Sequence, residues 1–335
     1  SHGRAWTFIN GSQTMTAWPN HEQAWRQWRS AMSGARMHHG WILAGKKGLG
    51  KHDFALAAAR ELVAEGGVSQ PAGEHPDILT VTYGPKDKKA QSAQEAGKPF
   101  ELARSIRIIQ IRDMQRRLTV RPTLGSRRVV IINPADDMER AASNALLKSL
   151  EEPPVGTFFI LVTHRPARLL PTIRSRCRIL RFPVLDAAQM RSMLDDAGIQ
   201  GDAEVAIRAA EGSFGAALEF AQQDLDPVAG HIERLIDEGD AAMTGRGDLS
   251  RLIGPRADRD RLAEIFELAQ AIVAHRARTC ENSVQRAALI EAHSALVTLG
   301  GQAPSYNFDT GLLSLEIGTL LSRVHVASEH VHARR

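Results

Sequence analysis

Cysteine is nearly absent: Cys177 and Cys280 are the only two in 335 residues. That count excludes a disulfide framework and a four-thiolate zinc site. Membrane-length apolar runs are missing too. Runs such as Val129–Ile132 and Phe158–Val162 are far too short to span a bilayer. The opening SHGRAWTFIN has no apolar core of a signal peptide, so cytoplasm is the expected compartment, with Ser1–Arg4 set outside the fold. Neither charge sign dominates. A formal net charge of +4 permits nucleic-acid contact without requiring it. The remaining composition, 43% hydrophobic and 24% charged, is that of a globular chain long enough for two or three domains with a real core.

What is present centres on Trp41–His52, read WILAGKKGLGKH. A short apolar run leads into Gly45, Gly48, Gly50 and Lys51, and a helical pattern from Phe54 follows. Strand, glycine loop and helix are the setting of a phosphate-binding loop: glycines let N–H groups turn inward, and the helix N-terminus adds partial positive charge. Lys51 would reach the β and γ phosphates. One position departs from the motif. The loop should end Lys-Ser/Thr, whose hydroxyl holds Mg²⁺, and here it ends Lys51-His52. The segment reads as a phosphate-loop scaffold with damaged metal chemistry, or else as a plain glycine-rich strand–helix turn.

In chain order, residues 20–33 read as a helix with Asn20 as N-cap and Ala24, Trp25, Trp28 and Met32 at helical spacing. The tryptophans all lie at or before Trp41 and read as core rather than ligand-stacking residues; His38 and His39 read as turn residues rather than ligands. Residues 75–81 form a turn into a strand, and 85–98, polar and Lys-rich, an exposed loop. Residues 100–118 return to helical periodicity. Arg104, Arg107, Arg112, Arg116, Arg117, Arg121, Arg127 and Arg128 fit either a DNA backbone or a solvated face. Arg127–Ile132 fits a buried parallel strand. It ends at Asn133-Pro134, where phosphate-loop enzymes place a Mg²⁺-holding carboxylate and, in many ATPases, a neighbouring glutamate base. Asp136 and Asp137 lie too far along for that role and read as helix N-terminal residues. Another strand, Phe158–Val162, and a short one, 179–182, complete an alternation of strands and helices that predicts a parallel sheet covered on both faces.

Two further motifs point to a family. Asn144–Pro154 (NALLKSLEEPP) and Ser175-Arg176-Cys177, spaced behind the glycine loop, resemble the bacterial clamp-loader branch of AAA+ proteins. The resemblance covers most of residues 20–220. It implies that Arg176 is an arginine finger directed into the ATP site of a neighbouring subunit, where a guanidinium stabilises charge on the γ-phosphate. Ser175 and Cys177 would flank it structurally. Thr163 would stand where the family senses the γ-phosphate, and Gly215 where its lid carries an ATP-contacting arginine. With His52 and Asn133, Gly215 is a third departure, so Gly45, Gly48, Gly50, Lys51 and Thr163 form a degenerate phosphate site of doubtful occupancy. Some relatives carry a cysteine zinc module after the first helix; residues 61–77 have no cysteine, so no zinc and no resident metal is expected.

The second half is helical. Asp186 and Gln189 fit a capping box; 202–211 and 213–223 continue a lid. Residues 224–258, with Gly239, Gly245, Gly247, Gly254 and Pro255, suggest a hinge or linker. Three apolar stripes follow from Asp258. His325, His330 and His332 read as a solvated terminus rather than a metal site. The expected architecture is α/β followed by all-α: an AAA+ phosphate-loop domain over 5–184, a helical lid and linker over 185–250, and a C-terminal helical collar over 251–335. The resemblance implies a non-catalytic subunit without intrinsic ATPase, an accessory of the DNA polymerase III holoenzyme that helps load the sliding clamp onto primed DNA. Its implied partners are gamma/tau and delta clamp-loader subunits in a hetero-pentamer; ATP would be held weakly or met in trans. Set against this are an autonomous ATPase, disfavoured by His52 and Asn133-Pro134, and a nucleotide kinase, disfavoured by the lack of an acceptor site.

Overall fold

Three strands are buried almost end to end: β1 (Gly40–Ala44), β3 (Arg128–Ile132) and β4 (Thr157–Thr163). With β2 (Ile78–Val81) and β5 (Arg178–Arg181) they form one parallel sheet in the order β2-β3-β4-β1-β5. A computed structural model of the chain describes residues 18–34, 37–199, 203–222, 225–254, 257, 259–302 and 309–332.

Alternate residues of each strand feed opposite cores, as a pleated strand requires. Trp41, Leu43, Val129 and Ile131 pack under α1 (Glu22–Ser33) and α2 (Lys51–Val63), with Trp28, Phe54 and Leu62. Ile42, Val130, Ile132 and Phe159 face α4 (Ile108–Arg117), α5 (Arg140–Glu151) and α6 (Pro171–Arg174), meeting Ile111, Leu146 and Ile173. The described tryptophans include Trp28 and Trp41, packed ring to ring at 5.3 Å in the first of these cores.

Several local expectations are corrected. Asn20 is not the N-cap of α1; its side-chain amide donates to the Pro183 carbonyl (3.0 Å), and a short 3-10 turn, Pro19–His21, leads into the helix. The expected loop at 85–98 contains α3 (Lys88–Glu95), started by the Asp87 side chain accepting from the Ala90 N–H. The helix expected from residue 100 begins at Ile108, because 102 and 106 form isolated bridges with Pro85 and Met138 instead.

Arg128 is withdrawn from any DNA-facing surface. Its guanidinium donates to the carbonyls of Arg117 (2.8 Å), Val120 (3.0 Å) and Arg121 (2.9 Å) and lies 3.5 Å from the Asp77 carboxylate. Asp77 also accepts the N–H groups of Thr123 (2.6 Å) and Leu124 (2.8 Å). The pair thus ties the end of α4 and the following turn to the sheet edge.

The chain divides after Val184 into two compact units. In the second, the expected capping box of Asp186 and Gln189 starts α7 (Ala187–Asp196), and α8 (Glu204–Ala210) and α9 (Phe214–Gln222) follow. The expected linker at 224–258 instead holds two helices, α10 (Asp226–Glu238) and α11 (Thr244–Ile253). Gly239 and Gly254, at positive φ, terminate them rather than act as hinges. Pro255 and Asp258 lie outside the described residues, as does Ser1–Arg4. The long helices α12 (Arg259–Thr279), α13 (Ser283–Gln302) and α14 (Thr310–His332) bury Ile265, Phe266, Leu289, Leu296, Ile317 and Leu321. α8 and α10 pack on α12, and α10 and α11 on α14, so helices on both sides of residue 250 share one core. Among the described residues no helix is long and apolar enough to cross a membrane.

Asp77 is 1% exposed, and removing one partner of a buried, hydrogen-bonded pair strands the other charge. Asp77→Ala is expected to destabilise the first unit by about 3–5 kcal/mol, measured by urea unfolding. A loss no larger than that of a surface pair such as Lys86–Glu101 would refute this role.

Candidate functional site

The glycine loop follows β1 and runs into α2, with Gly48 (φ 80°) and Gly50 (φ 68°) in left-handed conformations. Gly45 is pressed against the sheet end: a Cβ there would stand 2.6 Å from the Phe182 carbonyl oxygen. Gly50 has a neighbour that the motif does not anticipate. A Cβ on Gly50 would fall 2.3 Å from the indole of Trp18. Trp18 stacks on His21 (5.2 Å, 6° between planes), and the His21 Nε2–H donates to the Leu49 carbonyl at 2.7 Å. The segment before α1 therefore lies directly on the loop.

Lys51 is 3% exposed and does not project outward. Its ammonium donates to the carbonyls of Gly45 (2.7 Å) and Lys46 (2.5 Å), closing the loop on itself. Burial lowers its pKa to about 8, against the opposing pull of Asp136. His52, in the metal-hydroxyl position, is mostly buried, and burial lowers its pKa; its Nδ1 has no hydrogen-bond partner among the described residues.

Asp136 corrects a further expectation. It lies in a 3-10 turn (Ala135–Asp137) rather than at the start of a helix, and its buried carboxylate belongs to the loop site. It accepts the His164 N–H (3.0 Å) and is paired with Arg165 (3.4 Å). Burial pushes its pKa up, but the backbone N–H donors, His164 and the Thr163 hydroxyl outweigh burial and hold it below the usual carboxylate range. Thr163 is fully buried at the end of β4; its carbonyl accepts the Gly45 N–H (3.4 Å), and its hydroxyl is committed within the site. Tyr83 donates to Asp137 (2.6 Å), which also pairs with Arg165 and Arg168. Gly45, Gly48, Gly50, Lys51 and Thr163 thus do come together, with Asn133 ending β3. The sequence reading missed Trp18, His21, Asp136 and His164. The Trp18/His21 spacing of three was visible, but nothing in the sequence aimed it at the loop.

Arg176 stands elsewhere. Strand register pairs Trp41 with Arg178, so the residues before β5 lie at the start of β1, while the glycine loop lies at its end. Gly40 confirms the placement: a Cβ there would meet the Cys177 Sγ at 2.9 Å and the Arg176 carbonyl at 3.0 Å. Four strand steps of about 3.3 Å separate Trp41 from the loop, so at least ~13 Å of sheet intervenes. Arg176 pairs with Glu151 at 2.7 Å and donates to the Thr172 carbonyl (2.9 Å). Cys177 is packed against the core, and burial drives its thiol up to about 12, which removes any role as nucleophile. Gly215 sits in the first turn of α9, in the second unit. Among the described residues no group of three or more His, Cys, Asp or Glu is placed to hold a metal.

A parallel sheet in this order, with a glycine loop between β1 and α2, defines a phosphate-loop α/β domain of the AAA+ kind. Residues 20–186 match the family described as "DNA polymerase III, delta subunit". The chain is 36% identical over 178 residues to the DNA polymerase III subunit delta' of Pseudomonas aeruginosa, covering 49% of each chain. It is 32% identical over 208 residues to the same subunit of Escherichia coli K12, covering 56% of each. Through its first unit, the chain belongs to the DNA polymerase III delta-prime family. It spans about half the length of these curated relatives. Among solved structures, a DNA polymerase III gamma subunit-related protein of Thermotoga maritima is similar with TM-score 0.45 and 21% identity, over 91% of this chain and 100% of that one.

The buried histidines set the acid stability. Burial lowers His21 to about 4, with Lys51 adding to the effect against the Leu49 hydrogen bond. Burial and then Lys51 lower His164 to about 4. Between pH 6.5 and 4 the unfolded chain binds these protons and the folded one does not, so stability falls as pH falls through that window. His21→Gln keeps a donor for Leu49 and removes one of the titrating groups. Urea midpoints from pH 7 to 4.5 are expected to decline less steeply in the variant; an identical decline would show that His21 titrates normally.

Proposed function

We propose that the chain is a non-catalytic subunit of a DNA polymerase III clamp loader, acting in the cytoplasm beside gamma/tau and delta subunits in a hetero-pentamer. Its own glycine loop is a structural element rather than a nucleotide site, and its contribution to hydrolysis is Arg176, presented to the ATP of a neighbour. The observation carrying this reading is that Arg176 and the loop lie at opposite ends of one parallel sheet. A guanidinium so placed is not able to serve a phosphate on its own loop, which supports a role toward one on an adjoining subunit.

The loop's internal contacts support the rest. A Lys51 ammonium already bonded to two loop carbonyls, a Trp18 ring against Gly50 and an imidazole at position 52 do not fit a Mg²⁺–nucleotide. Mg²⁺ needs near-octahedral oxygen ligands, and neither His52 nor Asn133 supplies the hydroxyl or carboxylate of the motif. Asp136, the nearby buried carboxylate, is held by His164 and Arg165. Placement of the clamp on primed DNA then belongs to the assembly, with exposed arginines such as Arg112 and Arg121 available to a phosphate backbone.

Two measurements test this. Calorimetric titration of the isolated chain with ATP, with and without Mg²⁺, is expected to give no binding heat, and the same sample no hydrolysis; turnover at the rate of an active motor would make the chain an autonomous ATPase. In a loader reconstituted with gamma/tau and delta, Arg176→Ala is expected to leave assembly intact and lower kcat for ATP about 10³-fold, the scale of an arginine finger. Normal turnover in a normally assembled loader would remove the finger assignment.

A further inference from the structure

Arg176 is held from three directions. Glu151, the last residue of α5, pairs with its Nη2 at 2.7 Å. The Thr172 carbonyl and the Ser175 hydroxyl accept from Nη1 at 2.9 and 3.4 Å. Among the described residues no acceptor meets Nε. The Arg176 side chain remains 36% exposed, enough to be reached from outside the chain.

Glu151 is itself fixed. It ends α5, whose Leu146 and Leu150 are buried in the core beneath it. The Leu150 carbonyl accepts from His39 Nε2 at 2.8 Å, immediately before β1. Arg176 is fixed at its backbone, which lies against Gly40. The carboxylate and the guanidinium are thus attached to neighbouring points at the start of β1 by rigid elements. An arginine carries about 2 kcal/mol of rotamer entropy, and an exposed one without this bracket would sample many rotamers.

From this arrangement we infer that Glu151 is a positioning residue for Arg176. It holds the side chain extended from one of its nitrogens and leaves the Nε edge free to approach a phosphate oxygen. The inference rests on Arg176 acting in trans as proposed above. Its companion Glu152, exposed at the helix end, has no such contact. The role makes a distinctive kinetic demand: losing a positioning group acts through the transition state, so it lowers kcat while leaving ATP affinity on the neighbour unchanged.

The experiment compares Glu151→Ala, Glu151→Gln, Glu152→Gln and Arg176→Ala, each in the reconstituted loader, with ATPase kinetics, assembly by sedimentation and thermal unfolding of each chain. Glu151→Ala is expected to lower kcat ten- to hundredfold with KM, assembly and melting midpoint unchanged. Glu151→Gln, which keeps an acceptor at the same length, is expected to recover part of the loss, and Glu152→Gln to match the parent. In the Arg176→Ala background, Glu151→Ala is expected to add nothing. Three outcomes would overturn the positioning role: unchanged kcat in Glu151→Ala while Arg176→Ala is impaired, a raised kcat, which would make Glu151 a competitor, or a full additive loss in the double variant. If Arg176→Ala itself turns over normally in an assembled loader, the finger reading fails and the positioning role falls with it, an outcome distinct from the three above.

Discussion

Parallel pairing of β1 with β5 governs what this chain is able to do. In a parallel sheet every strand starts at one end and finishes at the other. The segment entering β5 and the loop leaving β1 are therefore separated by the full length of the strands, whatever side chains they carry. Arg176 enters; Gly45–Lys51 leaves. A single chain built this way cannot bring Arg176 to its own glycine loop.

Within that frame the two ends have become unequal. At the loop end, Lys51 is satisfied by loop carbonyls, Asp136 by His164 and Arg165, and the Leu49 carbonyl by His21. Burial lowers the pKa of Lys51, His21, His52 and His164, and the Lys51 charge adds to the lowering of His21 and His164. At the other end, Arg176 stays partly exposed on a bracket of three acceptors. One end has turned inward and the other faces out.

The strands, the loop and the two-sided sheet were legible in the sequence because fully buried β-rich runs and a glycine-lysine turn are strong local signals. The Asp186–Gln189 box was legible for the same reason. What escaped was set by partners distant in sequence. Glycines at 239 and 254 suggested a linker, yet the apolar stripe of Val228, Ile232, Leu235 and Ile236 was already helical, and the glycines end helices instead. Residues 85–98 are polar enough for a loop, and a single Asp87 cap with Ala90 turned inward makes them a helix. Arg128 counted as surface charge until Asp77, 51 residues earlier, drew it inside. At the site, Lys51 and Thr163 were found from motif spacing. Asp136 was discarded for lying three residues beyond the strand end, a distance that the turn at Asn133–Asp137 folds back.

The contact between Trp18 and Gly50 has a bearing on how such a loop would answer to substitution. A silent phosphate loop is often pictured as one lost hydroxyl away from function. Here an aromatic ring stacked on His21 lies against the loop glycine, and the lysine is bonded to the loop backbone. Restoring a serine at position 52 would return a ligand to a room that is already furnished. One substitution at position 52 would therefore leave the Trp18 ring and the Lys51 bonds in place.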